Sequence, residues 1–500
     1  MNVMMLLEMA AQGCGERVAF TNGQDSLTYQ QLYDAAGAGA ALIRASGCRY
    51  VAMLDVSSLA VPVGLFASAW AGVPYVPLNY RLTDAEIRAL LARVEPALLI
   101  TSDQRAAALA DVAGLQIMPR DAFLQTARTA QPLAETWSMD QDDTGVLLFT
   151  SGTTGAPKAA VLRQKHLVSY ILGSVEFMSA AEEDAALVCV PPYHIAGISA
   201  VFSSVFAGRR VVQLPDFDAR AWLELVNREQ VTNAFVVPTM LARIVEAIGD
   251  DPDVRLPSLR ALAYGGGKMP LPVIERAMRV FPNADFTNAY GLTETSSTIA
   301  LLGPQDHRDA AASDDPALRR RLVSVGRPLP GVEVQIRDDE GRVLGAGERG
   351  EIYVRGEQVS GEYVGRGSLL DKDGWFPTRD AGSMDADGFL FLEGRADDVI
   401  VRGGENRSPG EIEDVLLEHP AVADVAGVVP QANWNNLTGN TNPASGAIVD
   451  EDGNATSVQV AWSSAGTWST TGRGEENNCL TGTDAALMTG YLDTGNDSTT

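Results

Sequence analysis

The chain has 500 residues, 46% of them hydrophobic, and a formal net charge of −26. The length predicts more than one domain with a sizeable core, and the charge argues against nucleic acid and anionic membrane surfaces as partners. Four dispersed cysteines and four dispersed histidines argue against a disulfide framework and a metal cluster. The N-terminus lacks the basic start of a signal peptide and no apolar run is long enough to span a membrane, so a cytoplasmic location is expected.

Helix-like and strand-like patterns alternate up to about residue 430, which predicts an α/β fold with mixed sheets. The helix expected over 83–94 has a specific start signal, because Thr83 and Glu86 have the spacing of a capping box. The other expected helices cover residues 27–46, 219–227, 240–247 and 271–280. The expected buried strands cover residues 50–54, 211–214, 234–237 and 259–264.

Residues 147–161, LLFTSGTTGAPKAAV, have the composition of a phosphate-binding loop between two strands. Apolar residues at both ends predict the strands. Between them, glycines let the backbone approach a ligand, while hydroxyls, amide groups and the charge of Lys158 suit phosphate oxygens. The spacing is not that of the common P-loop, and from composition alone a polar surface turn is an equal alternative. The loop residues concerned are Thr150, Ser151, Gly152, Thr153, Thr154 and Gly155.

The loop TSGTTGAPK resembles the signature loop of the adenylate-forming superfamily, which includes acyl- and aryl-CoA synthetases, peptide-synthetase adenylation domains and luciferases. Six further segments resemble motifs of this superfamily, in the family's order, within about residues 10–430. They are VPLNYRLT at 76–83, PPYHIAG at 191–197, YGGGKMP at 264–270, NAYGLTET at 288–295, GWFPTRD at 374–380 and GRADDVIVRGGENRSPGEIE at 394–413. The resemblance implies a large AMP-binding domain of mixed sheets and helices, followed by a small α+β domain.

The resemblance implies that several of these motifs contact the nucleoside of ATP. Tyr290 offers an aromatic face for stacking, although by itself it would be read as a core tyrosine. Asp380 accepts hydrogen bonds from the ribose hydroxyls, and Arg379 stands before it where the family commonly has glycine. An adenine ring needs a flat slot without side chains. The glycines that resemble the family's adenine-flanking turn are Gly265, Gly266 and Gly267.

A second set of residues is implied to hold the phosphates and magnesium. Lys158 would hold the β- and γ-phosphates, Thr293 would donate to the α-phosphate, and Glu294 is a hard oxygen ligand suited to Mg²⁺. Arg395 can reach ribose or phosphate as a fork of donors, and Asp397 is expected at the hinge between the domains. Alone, the Thr-Glu pair would indicate a helix start, and Arg395 with Asp397 a surface ion pair.

The implied reaction joins a carboxylic acid to coenzyme A, with ATP, Mg²⁺ and coenzyme A as cofactors. The carboxylate attacks the α-phosphorus to give an acyl-adenylate and pyrophosphate, and a thiol then displaces AMP. Such catalysis is mainly positioning and charge neutralisation. His194, Val237 and Thr239 are expected to line the acid pocket, with a core histidine as the alternative for His194. Residues 198–208 offer no acid to pair an ammonium, so a hydrophobic fatty or aryl acid is expected.

The composition changes near Pro430, after which Arg473 is the only basic residue, and no lysine follows Lys372 in the sequence. The family's C-terminal catalytic lysine therefore has no counterpart, and weak adenylation is expected. A chimaeric sequence from gene fusion is favoured over a frameshift or assembly artefact and a real pseudoenzyme. The expected domains are a large AMP-binding domain at 1–396, a truncated start of the small domain at 397–430, and an unrelated acidic Asn/Thr/Gly-rich β-like tail at 431–500.

Together these patterns predict an AMP-forming acyl-CoA ligase-like protein with impaired activity. One alternative is a pseudoenzyme that binds ATP and an acyl group without turnover. Another is an adenylation domain that serves a carrier protein. The expected partners are a small-molecule carboxylic acid and coenzyme A, without nucleic acid or a membrane span; the oligomeric state is not indicated.

Overall fold

The computed structural model describes residues 1–150, 157–249 and 256–395 in full, and beyond them only the backbone of six strands between 400 and 472. Main-chain proximity divides the chain into two units, which we describe separately. The first unit consists of Met1–Gln335, Tyr353–Thr378 and Met384–Phe391. The second unit consists of Ile336–Ile352, Arg379–Ser383 and Leu392–Thr500. Among the described residues we find no helix with the length and hydropathy needed to cross a bilayer.

Thirteen α-helices lie in the described part. They are α1 Met4–Cys14, α2 Tyr29–Ser46, α3 Ala60–Ala71, α4 Asp84–Leu91, α5 Asp103–Ala108, α6 Arg120–Thr129, α7 Gln164–Ser174, α8 Ile195–Ala207, α9 Ala219–Arg228, α10 Pro238–Ile248, α11 Leu271–Val280, α12 Pro304–Ala312 and α13 Pro316–Arg319. Two short 3-10 helices cover Thr293–Thr295 and Arg320–Val323.

The strands begin with the hairpins and βαβ units of the first unit. They are β1 Val18–Asn22, β2 Asp25–Thr28, β3 Tyr50–Leu54, β4 Tyr75–Pro77, β5 Ala97–Thr101, β6 Leu115–Pro119, β7 Thr144–Thr150, β8 Lys158–Arg163, β9 Ala185–Val188, β10 Arg210–Gln213, β11 Asn233–Val236, β12 Ala261–Gly265, β13 Asp285–Leu292, β14 Ser297–Leu302 and β15 Arg327–Pro328. Those that follow are β16 Glu333–Arg337, β17 Gly350–Arg355, β18 Glu362–Tyr363, β19 Gly367–Ser368, β20 Phe376–Met384, β21 Leu390–Arg395, β22 Ile400–Arg402, β23 Glu405–Arg407, β24 Asp424–Pro430, β25 Ala444–Val449, β26 Ala455–Trp462 and β27 Trp468–Gly472.

Two large mixed sheets form the first unit, which confirms the predicted fold class. The nine-stranded sheet has the order β15-β14-β13-β12-β11-β9-β10-β1-β2, and the eight-stranded sheet has the order β19-β18-β8-β7-β4-β3-β5-β6. The central strands of both are parallel. Antiparallel pairs lie at both edges of the nine-stranded sheet, but only at the β19 edge of the eight-stranded sheet, whose other edge strand, β6, is parallel to β5. Parallel pairing requires crossover connections, which helices such as α10 and α11 supply. A smaller sheet has the order β16-β17-β20-β21.

The main hydrophobic core takes residues from both large sheets and from helices α1, α2, α3 and α8. Helix α3 is buried at all twelve positions, as expected for a helix that is apolar on every side. Separate clusters cover the outer faces of the two sheets. The sheets are therefore buried on both faces, as parallel sheets generally are.

The predicted elements agree closely with the observed ones, with differences at their ends. The capping box of Thr83 and Glu86 is present and starts α4. The helix expected from residue 27 begins only at Tyr29, because Thr28 forms the N-cap and a capping box with Gln31. The preceding residues belong to β2 instead.

The tail strands continue a sheet that starts before the composition changes. In the second unit β24, β25, β26 and β27 form an antiparallel sheet in chain order, with Asp424 opposite Val449. Strands β25, β26 and β27 lie within the tail that was expected to be β-like. The domain boundaries at 396 and 430 stay a prediction.

Candidate active site

The phosphate-binding loop joins two antiparallel strands, as its flanking residues predict. Strand β7 ends at Thr150 and β8 begins at Lys158, and these two residues face each other in the ladder. The Thr150 hydroxyl donates to the Lys158 carbonyl oxygen at 3.4 Å. The hairpin thus presents one hydroxyl and one ammonium at the base of the loop. Ser151, Gly152, Thr153, Thr154 and Gly155 lie outside the described residues.

Thr293 and Glu294 lie on a 3-10 turn between β13 and β14. Buried Thr295 holds the turn, since its hydroxyl accepts from the Leu292 amide at 2.9 Å and donates to the Ser297 carbonyl oxygen at 2.7 Å. Thr293 and Glu294 are both half-buried. The motif is therefore a tight turn that exposes one hydroxyl and one carboxylate. The helix start that the Thr-Glu pair alone would indicate is present only as this single 3-10 turn.

Tyr363 connects these two parts of the site. Its hydroxyl donates to the Glu294 carboxylate at Oε1, and the Lys158 ammonium lies 5.9 Å from the centroid of its ring. Tyr363 also faces Ala160 across the β18–β8 ladder. No local sequence pattern marks Tyr363, because its two partners, Glu294 and Lys158, are distant from it in sequence.

The three glycines of the predicted adenine turn have different roles. Gly265 is the last residue of β12, and a Cβ there would lie 2.2 Å from the carbonyl oxygen of Ala289 on the neighbouring strand. Gly266 has φ of +78°, a left-handed value that favours glycine. Cβ atoms at Gly266 and Gly267 would meet Val237 and Pro238 only at ordinary contact distances, 3.6 Å each. The structure thus brings the exposed part of the turn next to Val237.

Tyr290 lies on β13 and is only 7% exposed. It follows Ala289, which is paired with Gly265, and it precedes a β-bulge at Gly291. Its position beside the glycine turn agrees with a role at the adenine. Its burial also agrees with the alternative of a core tyrosine, so stacking on adenine stays a prediction.

Asp380 and Arg395 form an ion pair within the second unit, with Arg395 Nη1 2.9 Å from Asp380 Oδ1. Asp380 is buried and Arg395 is half-exposed. The preceding Arg379 has φ of +61°, which explains why glycine is common at this position in the family: the left-handed region carries no steric cost for glycine. Asp397, the expected hinge residue, lies outside the described residues.

The three predicted pocket residues flank two helix starts. His194 is the N-cap of α8, and Val237 is the N-cap of α10, with Thr239 exposed in its first turn. The His194 ring is partly exposed and packs on Tyr193, at 4.5 Å between centroids. Partial burial, and then the guanidinium of Arg81, lower the pKa of His194. A neutral imidazole at this position can accept or donate one hydrogen bond at neutral pH.

A contact that the sequence does not signal links the pocket segment to the nucleotide motif. The Ser297 hydroxyl donates to the Ser199 hydroxyl at 3.1 Å. Ser199 belongs to α8, within the apolar stretch 198–208, and Ser297 follows the turn that carries Glu294. The segment of α8 that is predicted to line the acid pocket therefore carries a hydroxyl contact as well as apolar side chains.

A cavity of about 360 Å³ opens on the eight-stranded sheet, lined among others by Tyr50, Pro74, Arg163 and Glu362. Of the described site residues that the sequence predicted, none lines it, although Tyr363 does, together with Leu147 and Val161 of the β7–β8 hairpin. Arg163 is engaged there in a two-bond fork with the Glu362 carboxylate, at 2.8 and 2.7 Å. We therefore place the candidate site at the β7–β8 hairpin and the Glu294 turn rather than at this cavity.

Comparison with known families identifies the family to which the chain belongs. The model of the AMP-binding enzyme family matches residues 7–364, a range that includes the hairpin, the Glu294 turn and Tyr363. The chain belongs to the AMP-binding enzyme family. The resemblance to adenylate-forming enzymes is thereby confirmed, as is the assignment to acid–thiol ligases at the level of the family.

Curated relatives of this AMP-binding enzyme are CoA ligases. The 2-succinylbenzoate–CoA ligase of Bacillus licheniformis is 33% identical, over 86% of this chain and 87% of its own. The indoleacetate–CoA ligase of Aromatoleum aromaticum is 32% identical, over 80% of this chain and 79% of its own. Both names describe an aryl acid as substrate.

A solved relative supports the expected cofactors. It is the O-succinylbenzoate coenzyme A synthetase (MenE) from Bacillus subtilis in complex with ATP and magnesium ion. It is 29% identical, with a TM-score of 0.73, over 90% of this chain and 88% of its own. The prediction of ATP, Mg²⁺ and coenzyme A as cofactors of this family is confirmed.

The described residues fit a magnesium ion that is held mainly by its nucleotide. In the described ranges, three His, Cys, Asp or Glu side chains nowhere cluster to hold a metal by themselves. Mg²⁺ is commonly bound by one or two carboxylates together with substrate phosphates and several waters. Glu294 offers one such carboxylate on an ordered turn, half-buried, with its backbone carbonyl oxygen accepting from the Ser360 amide at 2.8 Å. The donor set therefore suits a nucleotide-borne Mg²⁺ better than a resident metal centre.

Proposed function

We propose that this AMP-binding enzyme activates an aryl carboxylic acid with Mg·ATP and transfers the acyl group to coenzyme A. One observation carries the proposal: Tyr363 joins the Glu294 turn to Lys158 at the base of the phosphate-binding loop. A carboxylate and an ammonium tied to one side chain suit a magnesium–triphosphate, whose metal and phosphate oxygens need opposite charges.

In this proposal the chain's own groups position and neutralise rather than attack. Lys158 and the loop from Thr150 to Gly155 hold the β- and γ-phosphates, and the Thr293 hydroxyl donates to the α-phosphate. Glu294 supplies an oxygen ligand to Mg²⁺, which when bound withdraws charge from the phosphates. The substrate carboxylate needs no base, because it is already ionised at neutral pH. Oriented charges of this kind contribute several kcal/mol to a transition state.

The remaining site residues take the roles that the resemblance implies. We assign Gly266, Gly267 and Tyr290 to the adenine, and Asp380 with Arg395 to the ribose and phosphate. Asp397 is assigned to the hinge.

The acid pocket is assigned to α8 and the start of α10. Helix α8 is mostly buried and apolar and carries no acidic residue, so it offers no partner for the ammonium of an amino acid. His194, Val237 and Thr239 would border the acid. The aryl acids named for two relatives favour an aryl over a fatty substrate.

The test is acid-dependent release of pyrophosphate and AMP by the purified 500-residue chain. The panel contains 2-succinylbenzoate, indole-3-acetate, phenylacetate and decanoate, each with and without coenzyme A. We expect AMP and an acyl-CoA from at least one aryl acid, and a large loss on Glu294→Gln. Tyr170→Phe is the control, since its hydroxyl contacts the Thr298 hydroxyl at 3.5 Å. Acid-independent ATP consumption, or decanoate as the best substrate, would contradict the proposal.

A second candidate function is binding without efficient turnover. It is favoured by the absence of any lysine among residues 373–500, where the resemblance places a catalytic lysine of the family. It predicts thermal stabilisation by Mg·ATP together with pyrophosphate release about 100-fold slower than in the Bacillus licheniformis relative, because a positioned cation contributes a few kcal/mol. Equal rates in parallel assays would eliminate it. Replacing coenzyme A by a phosphopantetheinyl carrier protein in the same assay tests the third option, a carrier-protein acceptor.

A further inference from the structure

The segment 358–363 contacts the Glu294 turn through both backbone and side chains. The amides of Ser360 and Gly361 donate to the carbonyl oxygen of Glu294, at 2.8 and 3.2 Å. The side-chain amide of Gln358, which is buried, donates to the carbonyl oxygens of Thr295 and Thr298, at 3.1 and 2.7 Å. Four hydrogen bonds, two of them from the Gln358 side chain, therefore attach this segment to the backbone of the turn and of β14.

The same segment also contacts the strand that carries Lys158. The Ser360 hydroxyl donates to the carbonyl oxygen of Val161, and Tyr363 faces Ala160 in the ladder. The Val364 amide donates to the Ala159 carbonyl oxygen at 2.9 Å. Segment 358–363 is thus attached to both halves of the candidate site, and Tyr363 is its one side chain that contacts the functional groups of both.

We infer that Tyr363 is a positioning residue that sets the Glu294 carboxylate and the Lys158 ammonium for one magnesium–nucleotide. This inference rests on the proposed function, because it assigns Glu294 to Mg²⁺ and Lys158 to phosphate. The phenol hydroxyl donates to Oε1, which leaves Oε2 to face a metal. The hydroxyl is neutral, so it orients the carboxylate without cancelling its charge.

The contact with Lys158 likewise positions a charged group without cancelling its charge. An aromatic ring attracts an ammonium through its quadrupole and donates no proton to it. A carboxylate in the same place would pair with the lysine and compete with the phosphates. The ring face at 5.9 Å holds the ammonium near the hairpin and keeps its full charge available for a phosphate.

If Tyr363 had a purely structural role, its loss would lower the melting temperature without changing Mg²⁺ binding. Two variants separate this role from the positioning role. Tyr363→Phe removes the hydroxyl and keeps the ring, so it affects only the carboxylate. Tyr363→Leu removes both contacts. Tyr170→Phe, a partly buried tyrosine whose hydroxyl contacts Thr298, controls for the loss of a phenol hydroxyl elsewhere in the first unit.

The experiment measures thermal stabilisation of each purified chain by the non-hydrolysable analogue α,β-methylene-ATP, over a Mg²⁺ titration, beside the melting temperature without ligand. For Tyr363→Phe we expect an unchanged ligand-free melting temperature and a half-saturating Mg²⁺ concentration raised roughly tenfold, as for the loss of a hydrogen bond to a charged group. For Tyr363→Leu we expect, in addition, affinity for the magnesium-free analogue lowered about threefold, as for a partly exposed cation–π contact. KM for ATP and the rate of pyrophosphate release are measured in parallel.

The outcomes separate the inference from the function on which it rests. If the wild-type chain shows Mg²⁺-dependent stabilisation and Tyr363→Phe titrates identically, the inference is wrong and the proposed function stands. A lowered ligand-free melting temperature with an unchanged Mg²⁺ midpoint also overturns it, in favour of a structural role. If the wild-type chain shows no response to the analogue and Mg²⁺, both the inference and the proposed function fail.

Discussion

Substitution of Gly265 by alanine tests whether this glycine serves the fold or the ligand. Gly265 pairs with Ala289 at the end of β12. An added Cβ would lie 2.2 Å from the Ala289 carbonyl oxygen, so the two strands would have to separate by about 1 Å to restore van der Waals contact. The obstructing atom is backbone and cannot rotate away. Gly267→Ala is the matched control, because its Cβ would meet only Pro238 at 3.6 Å.

The magnitude follows from the cost of overpacking. An extra methyl group in a well-packed site costs roughly 1–3 kcal/mol, and a backbone obstacle places Gly265→Ala near the upper end. For a domain of a few hundred residues this corresponds to a melting temperature lower by about 5 °C or more. For Gly267→Ala we expect an unchanged melting temperature, because the contact is ordinary, and a raised KM for ATP, because the new methyl group enters the predicted adenine slot.

The assay is thermal unfolding of both variants by circular dichroism, followed by ATP titration at a temperature where each is folded. A melting temperature of Gly265→Ala equal to that of the wild-type chain would refute the steric reasoning. Equal ATP affinity of Gly267→Ala and the wild-type chain would refute the placement of the adenine beside this turn.

Three further predictions concern the ribose site and a buried histidine. Arg379→Gly should raise the free energy of unfolding by up to about 1 kcal/mol in urea titrations, because φ of +61° is left-handed, while Arg379→Val should lower it. Arg395→Ala should lower that free energy by roughly 1–3 kcal/mol, because it removes an ion-pair partner of the buried Asp380 carboxylate, and it should also weaken ATP binding in calorimetry; unaltered binding would remove Arg395 from the site. Burial lowers the pKa of His307 to about 4, below its ordinary value of 6.5. The stability that the neutral imidazole contributes to the folded state is therefore complete above about pH 6.5 and is lost as the pH falls towards 4. Urea titrations should show about 2 kcal/mol less stability at pH 5 than at pH 7.5 from this group, and a pH-independent His307→Gln difference would contradict it.

Local patterns predicted the local structure well. The apolar runs that flank the phosphate-binding loop became β7 and β8, and Thr83 with Glu86 became the capping box of α4. The strands and the capping box both depend on residues within a few positions of one another, so their patterns can be read directly from the sequence. The departure at Arg379 was also visible, and the structure adds its physical meaning, a left-handed φ.

Contacts between distant segments could not be predicted in the same way. The hydrogen bond from Tyr363 to Glu294 joins residues 69 positions apart, and the register of β18 on β8 creates it. Gly265 shows a second limit of prediction from sequence. A glycine can be required because a ligand lies close to the backbone or because a neighbouring strand does. Only the position of the Ala289 carbonyl oxygen distinguishes the two.

Helix α3 has no side that meets solvent, and this determines how its backbone amides can exchange with water. A surface helix frays and opens by itself, so its amides exchange without the rest of the protein unfolding. The amides of Ala60–Ala71 can be reached only when the core that surrounds them opens. Their deuterium uptake should therefore be among the slowest in the chain and should report the global unfolding of the first unit, independently of whatever occurs at the nucleotide site.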